Sequence, residues 1–214
     1  MISRLEGISK TYRRADRSFQ VFQDCSLAVE QGEFLILSGH SGSGKSTLLA
    51  LIGGYLKPDG GEVFFEDQNL SLLQEKGLAK LHAGQIGYLP QSNVMVSEFT
   101  ILENVMLKGL LLGEEGKKEE AMELLRLLGI ETLAQRFPHE LSGGELRRAA
   151  IARLLLDKPR LYLLDEPSGG LDKESIRVVM NCLEERRREG ATIIVATHDD
   201  LVTEYGSRIY DLGA

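Results

Sequence analysis

Short apolar runs alternate with amphipathic runs along most of the chain, a pattern typical of an α/β fold. Four runs predict strands buried on both faces of a parallel sheet: EFLILS (33–38), QIGYLPQ (85–91), RLYLLDEP (160–167) and ATIIVATHDD (191–200). Each of them leads into polar or glycine-rich residues. Because ligands bind beyond the carboxyl ends of parallel strands, we expect the functional site at that edge of the sheet.

The remaining segments predict helices and hairpins. The segments 117–130 and 174–190 each carry one apolar stripe at helical spacing, which indicates helices packed on a core. Residues 1–32 and 60–70 favour antiparallel β-hairpins, with Gly and Asp at the turns. Residues 93–150 are rich in helix formers and contain no convincing core strand, so they predict a helical insertion between two strands of the parallel sheet.

Composition narrows the class of protein. The chain has 214 residues, 43% hydrophobic and 27% charged, which is typical of one globular domain. Its net charge of −7 argues against a nucleic-acid partner, since such partners bind basic faces. The sequence contains neither a leader pattern nor an apolar run near the roughly 18 residues that span a bilayer. We therefore expect a cytosolic chain in which Cys25 and Cys182 are reduced.

The segment GHSGSGKS (39–46) fits the phosphate-loop pattern GxxxxGK[ST], and a predicted strand and helix flank it as that pattern requires. Glycines let backbone N–H groups surround a phosphate, and the helix terminus adds partial positive charge. A lysine reaches the outer phosphates and a hydroxyl ligates Mg²⁺. The predicted nucleotide contacts are Gly39, Ser41, Gly42, Ser43, Gly44, Lys45, Ser46 and Thr47.

Two acidic residues, Asp165 and Glu166, end the predicted strand LYLLDEP. An aspartate in this position can hold the Mg²⁺ shell together with Ser46, and a neighbouring carboxylate can accept a proton from an attacking water. No NKxD-type segment that would read guanine is present. The sequence therefore predicts a nucleoside-triphosphate site without guanine recognition.

Six motifs stand in a fixed order along the chain: GHSGSGKS (39–46), YLPQ (88–91), LSGGE (141–145), DE (165–166), SGGLD (168–172) and ATHDD (196–200). In this order they resemble the ATP-binding domain of an ABC transporter, over nearly the whole chain. The resemblance implies an α/β fold with a P-loop NTPase (RecA-like) core, an ABC-type antiparallel β subdomain and an inserted α-helical subdomain. It implies one domain, 1–214, with residues 1–92 and 156–214 in the core and 93–155 in the helical signature subdomain.

The resemblance also assigns roles to single residues. Tyr12 would stack on adenine, although a surface tyrosine of a strand is the alternative. Gln91 would contact Mg²⁺ and the attacking water, and Glu166 would be the general base. His198 would sense the γ-phosphate, with a plain cap of a strand end as the alternative. Asp172 would reach across to a second subunit.

The segment LSGGE places Ser142, Gly143 and Gly144 at the start of a predicted helix, where backbone N–H groups and the helix dipole attract an anion. The resemblance makes that anion the γ-phosphate of ATP held by a second subunit. Two chains would then pack head to tail around two ATP molecules. A homodimer is our expectation, and a heterodimer with a sister ATPase stays open. We interpret the following ELRRAA (145–150) as an exposed basic helix face.

Several phrases, among them STLLALIGGYLKPDGGEV (46–63) and ILENVML (101–107), resemble the lipoprotein-releasing, macrolide-export and peptide-resistance ATPases. Departures are LP (89–90), where that group more often has phenylalanine before the glutamine, SGGLD (168–172) for TGNLD, and ELRRAA for a glutamine-rich stretch. The resemblance implies the ATP-hydrolysing subunit of a transporter, peripheral on the inner face of the cell membrane through a separate permease. A regulatory ABC ATPase that moves no substrate, and a soluble iron–sulfur assembly ATPase, are the alternatives.

Overall fold

Two β-sheets and a group of helices make up the structure. The computed structural model describes residues 1–14, 17–92, 94–113 and 116–213. Within these ranges the strands are β1 (Ser3–Arg14), β2 (Arg17–Val29), β3 (Phe34–Ser38), β4 (Gly60–Phe65), β5 (Gln68–Asn69), β6 (Ile86–Leu89), β7 (Leu161–Asp165), β8 (Thr192–Ala196) and β9 (Arg208–Asp211). The α-helices are α1 (Lys45–Ile52), α2 (Glu75–Gly84), α3 (Ile101–Val105), α4 (Leu107–Leu112), α5 (Lys118–Leu127), α6 (Gly143–Asp157), α7 (Lys173–Arg188) and α8 (Asp200–Thr203).

The larger sheet is parallel and has the strand order β6-β7-β8-β3-β9. The four strands predicted from apolar runs are confirmed as β3, β6, β7 and β8. The edge strand β9 was not predicted, because its sequence RIYD contains no apolar run and is largely exposed. The carboxyl ends of all five strands lie at one edge of the sheet. At this edge β3 is followed by segment 39–46, and β7 is followed by Glu166.

The smaller sheet is antiparallel, with the order β2-β1-β4-β5. It confirms both predicted hairpins, and β1 lies between β2 and β4. The pairing of β1 with β2 shifts register near Ile8 and Lys10. Such irregularities bend a strand. The far ends of β1 and β2 lie beside the glycine-rich segment, with Tyr12 opposite Phe19.

Residues between β6 and β7 form the predicted helical insertion, and its described part contains α3–α6 and no strand. The insertion is anchored by Asn104, which is fully buried. Its side-chain amide donates to the carbonyls of Val96, Phe99 and Thr100, and its oxygen accepts from the Val96 N–H. Helix α6 continues to Asp157, two residues past the boundary expected at 155. The division into subdomains stays a prediction.

Strand residues alternate between two apolar clusters on the two faces of the parallel sheet. Phe34, Tyr162 and Val195 face the cluster that includes α3, α5, α6 and α7. Leu35 and Leu163 face the cluster that includes α1 and the antiparallel sheet. Because burial of one such side chain stabilises a fold by about 1.5–3 kcal/mol, these faces fix the sheet between its layers. Within the described residues, every helix is too short or too polar to span a bilayer.

Candidate functional site

The glycine-rich segment 39–46 forms a loop between β3 and α1. Gly44 has a φ of 100° and stands immediately before α1. A Cβ atom at Gly44 would lie 2.7 Å from Cγ1 of Val21, so a larger residue would displace that side chain. The loop therefore lies close against β2 and presents the amino end of α1. The partial positive charge of this helix end attracts an anion.

Lys45 is held inside this loop. Its side chain is mostly buried, and Nζ donates hydrogen bonds to the carbonyls of Gly39 at 2.6 Å and His40 at 3.1 Å. An ammonium has three donors, so it can hold the loop and also donate to a phosphate oxygen. The lysine is thus positioned by the loop before any ligand is considered.

A cavity of about 630 Å³ lies over the loop. It brings together most residues that the sequence predicted for the site: Tyr12, Gly39, Ser41, Gly42, Gly44, Lys45, Ser46, Thr47, Gln91, Asp165, Glu166 and His198. These come from five separate segments of the chain. Ser43, also predicted, does not line the cavity; its N–H donates to the His40 carbonyl at 3.2 Å within the loop.

Three residues that sequence reasoning did not assign also line the cavity: Phe19, Val21 and His40. Phe19 is paired with Tyr12 across β1 and β2, and both rings are substantially exposed. The Tyr12 hydroxyl lies 3.4 Å from that of Thr47. An exposed aromatic pair at the mouth of a cavity can receive a planar ring. The sequence carried one signal for Phe19 and Val21: they alternate as apolar positions of a predicted strand, which the structure places opposite Tyr12.

Asp165 ends β7 and is 3% exposed. Burial raises the pKa of its carboxyl, and the Ser46 hydroxyl, which donates to it, opposes the rise. A hydroxyl beside a carboxylate supplies oxygen ligands of the kind that Mg²⁺ takes together with phosphates and waters. The described residues contain no cluster of three or more His, Cys, Asp or Glu for a metal, and a magnesium ion shared with a phosphate requires none. These residues therefore fit Mg²⁺.

Glu166 has a φ of 49°, the left-handed conformation that side chains rarely adopt. Its Oε1 lies 2.8 Å from Nδ1 of His198, and the Thr197 hydroxyl donates to Oε2 at 3.4 Å. The Glu166 side chain is 16% exposed, whereas that of His198 is 79% exposed. The carboxylate is thus fixed by two neighbours from the segment after β8 and faces the cavity.

Ser142, Gly143 and Gly144 lie outside this cavity, at the start of α6. Glu145 accepts hydrogen bonds from the Ser142 N–H at 2.8 Å and from the Ser142 hydroxyl at 2.7 Å, which closes a capping box. A Cβ atom on Gly143 would meet nothing within 4 Å. One on Gly144 would lie 2.6 Å from the Gly170 carbonyl oxygen. The segment is therefore packed on 168–172 on one side and open on the other.

The sequence profile of ABC transporters matches residues 22–169. The chain belongs to the ABC transporter family. It is 38% identical over 211 residues to the lipoprotein-releasing system ATP-binding protein LolD of Hyphomonas neptunium, covering 97% of this chain and 92% of the relative. It is also 38% identical over 209 residues to the LolD of Bacteroides fragilis, covering 95% and 94%. The predicted family is confirmed.

Solved structures confirm the ABC fold. Two dimeric structures of the ATP-binding cassette MJ0796, one of them in a post-hydrolysis state bound to ADP and Pi, match with a TM-score of 0.92. Each is 33% identical to this chain, and the match covers 99% of this chain and 94% of theirs. As a member of the ABC transporter family, the chain is an ATPase whose substrate is ATP with Mg²⁺.

Asp172 of this ABC ATPase has a contact within its own chain. Its Oδ1 accepts a hydrogen bond from the Ser175 N–H at 2.8 Å and so caps α7. These hydrogen bonds from Ser175 lower the pKa of the Asp172 carboxyl. The contact of Asp172 with a second subunit stays a prediction. Its role as the N-cap of α7 was not predicted from the sequence DKES (172–175).

The prediction that ELRRAA (145–150) forms an exposed basic helix face is wrong for Arg147, which is 1% exposed. Its guanidinium points into the protein and donates to backbone carbonyls near the cavity. Arg148 is partly buried and donates to the Ser175 hydroxyl at 3.0 Å. The sequence predicted Arg147 and Arg148 to be exposed, because a charged side chain is buried only where it has acceptors. The acceptors of Arg147 are backbone carbonyls, which no residue type in the sequence indicates.

Proposed function

We propose that this chain is the ATP-hydrolysing subunit of a membrane export complex of the lipoprotein-releasing type, and that it works as a head-to-tail dimer on a separate permease. One observation carries the proposal. A single cavity collects Lys45, Asp165, Glu166 and His198, whereas Ser142 is exposed and does not line that cavity. The chain thus holds two complementary halves of a phosphate site, which a second copy of the chain would bring together.

The hydrolytic step rests on Glu166. Water attacks the γ-phosphorus of ATP, the bond to the β,γ-bridging oxygen breaks, and ADP leaves. Glu166 accepts a proton from the water, because a carboxylate fixed by His198 and Thr197 can point at a molecule in the cavity. His198 is exposed on the cavity side, where it can also donate to a γ-phosphate oxygen.

The loop residues bind and orient the phosphates. Lys45 donates to the outer phosphates, and the backbone N–H groups of 39–46 surround them. Ser46 and Asp165 would hold Mg²⁺, with Gln91 at the cavity edge, and the ion would neutralise charge that develops on the phosphates. Tyr12 and Phe19 receive the adenine at the mouth of the cavity.

A second copy of the chain completes each site. The open side of Gly143 and the amino end of α6 suit the γ-phosphate of ATP bound to the partner's loop. The relative MJ0796 is a dimeric cassette, which supports this arrangement. Asp172, close to this face, would reach the partner, and both copies would carry a competent loop, so a homodimer is sufficient.

The transport type follows from the relatives. Those named for a lipoprotein-releasing system align with nearly the whole chain. We therefore place the chain on the inner face of the cell membrane, held there by its permease, and exclude nucleic acid as a partner on the net charge of −7. A permease docks on the helical insertion near residues 96–105.

Co-purification from native membranes tests this assignment. A polytopic membrane protein retained with the chain, and lipoprotein release by the reconstituted pair on ATP addition, are the expected results. A retained membrane protein without substrate movement would favour a regulatory ABC ATPase. If only soluble proteins were retained, the result would favour an iron–sulfur assembly ATPase and would contradict the proposal.

Mixed dimers test the composite site. In a dimer with one Ser142→Arg subunit, the site built on the other subunit's Lys45 should fail, because the arginine fills the space for the γ-phosphate. Adding Lys45→Ala to the Ser142→Arg subunit should therefore remove the remaining activity. Placing Lys45→Ala on the unaltered subunit instead should spare it. Equal activity of the two arrangements would contradict the head-to-tail dimer.

A further inference from the structure

Arg147 connects helix α6 to the end of strand β7, where Asp165 and Glu166 lie. It lies in α6 five residues after Ser142 and is fully buried. One arm of its guanidinium, Nη1, donates to the carbonyl of Pro90 at 2.6 Å and lies 3.4 Å from that of Gln91. The other arm, Nη2, donates to the carbonyls of Asp165 and, at 2.8 Å, Glu166.

These carbonyls belong to two strand ends that separate at this point. Leu89 of β6 and Leu164 of β7 are the last residues that these two strands pair, and β7 continues only to Asp165, which is paired with Ala196 of β8 on its other side. Carbonyls beyond the last ladder partner need another donor when they are buried. A planar fork with five donors can serve all four carbonyls at once, whereas an ammonium has only three donors on a single nitrogen. The guanidinium thus replaces the missing end of the ladder.

The backbone of Glu166 depends on such support. Its φ of 49° is a conformation that persists only where the surroundings determine it from several sides. The Glu166 N–H donates to the Ala196 carbonyl at 2.8 Å, and its own carbonyl accepts from Arg147. The two contacts hold the peptide groups on both sides of this Cα. The direction of the Glu166 side chain is set by that Cα.

Arg147 also borders a second cavity, of about 390 Å³, which Gln91, Glu166 and His198 line as well. Gln91, Glu166 and His198 line the larger cavity as well, so the two cavities share these three residues. Arg147 therefore borders the same cavity as the groups that the proposed function assigns to the attacking water.

We propose that Arg147 is a positioning residue for hydrolysis: it fixes the peptide groups of Glu166 and Gln91 so that the general base faces the water. This inference rests on the proposed function of Glu166. It adds that α6 acts on hydrolysis in its own chain through Arg147, in addition to serving the partner's ATP through Ser142. The two roles of α6 are separable, because one belongs to its first turn and the other to a side chain in its second.

Two variants test the positioning role, Arg147→Gln and Arg147→Lys. Gln is the residue type that the family resemblance leads one to expect in this stretch, and it still donates two hydrogen bonds. Lys keeps the charge without the fork. Each should lower kcat by about tenfold or more, because a small misplacement of a catalytic group is costly, while KM for ATP changes by less than about twofold. Arg148→Gln, on the same helix but bound to Ser175, is the matched control and should keep kcat within about twofold.

A merely structural role would act through the signature segment as well. ATP-driven dimer formation is therefore measured on a sizing column in the Glu166→Gln background, with thermal unfolding as the check of folding. The expected result is normal dimer formation in Arg147→Gln/Glu166→Gln despite the loss of kcat in Arg147→Gln. A parallel loss of dimer and kcat, an equal loss in Arg148→Gln, or unchanged kcat in both folded Arg147 variants would overturn the inference.

Poor folding of Arg147→Gln would leave Arg147→Lys, with its buried positive charge retained, to decide the matter by the same measurements. Failure of the proposed function would be recognised separately. In that case the unaltered protein itself would not hydrolyse ATP, or Glu166→Gln alone would not form an ATP-dependent dimer.

Discussion

Oε1 of Glu166 lies 2.8 Å from Nδ1 of His198, although the two residues follow different strands and are 32 positions apart. The contact is possible because β7 and β8 are parallel neighbours in which Asp165 is paired with Ala196. The residues that follow the two strands therefore meet at the same edge of the sheet. An acid and an imidazole on this edge form the proposed hydrolytic pair.

Replacement of the base should stop hydrolysis and keep binding. Glu166→Gln retains the shape of the side chain but cannot accept the proton, so kcat should fall by about 10²- to 10⁴-fold. Single-turnover hydrolysis and ATP binding measured on the same preparation check this. Because the bound ATP persists, the variant should also accumulate as a dimer on a sizing column. Near-normal turnover would contradict the assignment.

Loss of the imidazole should disturb the base indirectly. In His198→Ala, Glu166 keeps only the long contact with Thr197, so we expect kcat to fall by about 10- to 100-fold with a smaller change in KM. His198→Gln can still donate to Oε1 and should retain more activity than His198→Ala. Steady-state kinetics of the two variants make the comparison, and equal activities would argue against an orienting role.

Asp165→Asn should stabilise the protein in the absence of nucleotide while abolishing its ATPase activity. Burial raises the pKa of Asp165, so the ionised carboxylate is disfavoured in the folded state and its neutral isostere relieves that cost. The sign of the pH dependence follows from this. The gain should be complete above the raised pKa, decrease as the pH falls through it, and vanish below the ordinary aspartate value of about 3.9, where both states are protonated.

Thermal unfolding of Asp165→Asn and the unaltered protein across this pH range measures the effect. Asp157→Asn is a useful second case, because burial raises the pKa of Asp157 as well, and it lies at the far end of α6. Asp157→Asn should leave ATP hydrolysis intact. A lower melting temperature for Asp165→Asn at neutral pH would contradict the expected sign.

Glu145→Gln should strengthen the ATP-driven dimer. Hydrogen bonds from Ser142 lower the pKa of Glu145, so a negative charge stands at the helix end that the proposal assigns to the partner's γ-phosphate. An acidic side chain takes up about 0.3–1 kcal/mol of the attraction that a helix N-terminus has for anions. With Glu145 neutral, we expect the partner's phosphate to gain a similar amount, which corresponds to roughly a 2- to 5-fold rise in dimer affinity.

The protein offers a matched control for this change. Glu103 closes the same capping box on α3, with Thr100 in the place of Ser142 and both contacts at 2.8 Å. Glu103→Gln loses an equivalent charge away from the predicted dimer face and should leave dimer affinity unchanged. Sedimentation of both variants in the Glu166→Gln background provides the measurement. A weaker dimer for Glu145→Gln would speak against the placement of the γ-phosphate there.

The sequence predicted those parts of the fold that leave a local signal. Strands buried on both faces, such as β3 and β7, are continuous apolar runs, and the loop at 39–46 has a fixed glycine spacing. Helix α2 was missed because its apolar residues are few: only Leu81 is fully buried. Strand β9 was missed because an exposed edge strand needs no apolar face.

Site residues followed the same rule. Those that act through side chains in a fixed motif, such as Lys45 and Glu166, were predicted and lie together. Phe19 was missed, since it enters the site through strand pairing with Tyr12 and not through any motif. Arg147 was misread for a related reason. Its acceptors are backbone carbonyls, which every residue has, so no sequence pattern distinguishes it from a solvated arginine.

The alternation of strand side chains between two clusters affects how the protein can fold and change in evolution. Leu125 of the helical insertion shares one cluster with Tyr162 and Val195 of the sheet. The described part of the insertion therefore shares its core with the sheet, and we expect a single cooperative unfolding transition. Exchange of this segment between related ATPases must preserve its inward side chains, whereas its outer surface is free to diverge with the permease that it serves.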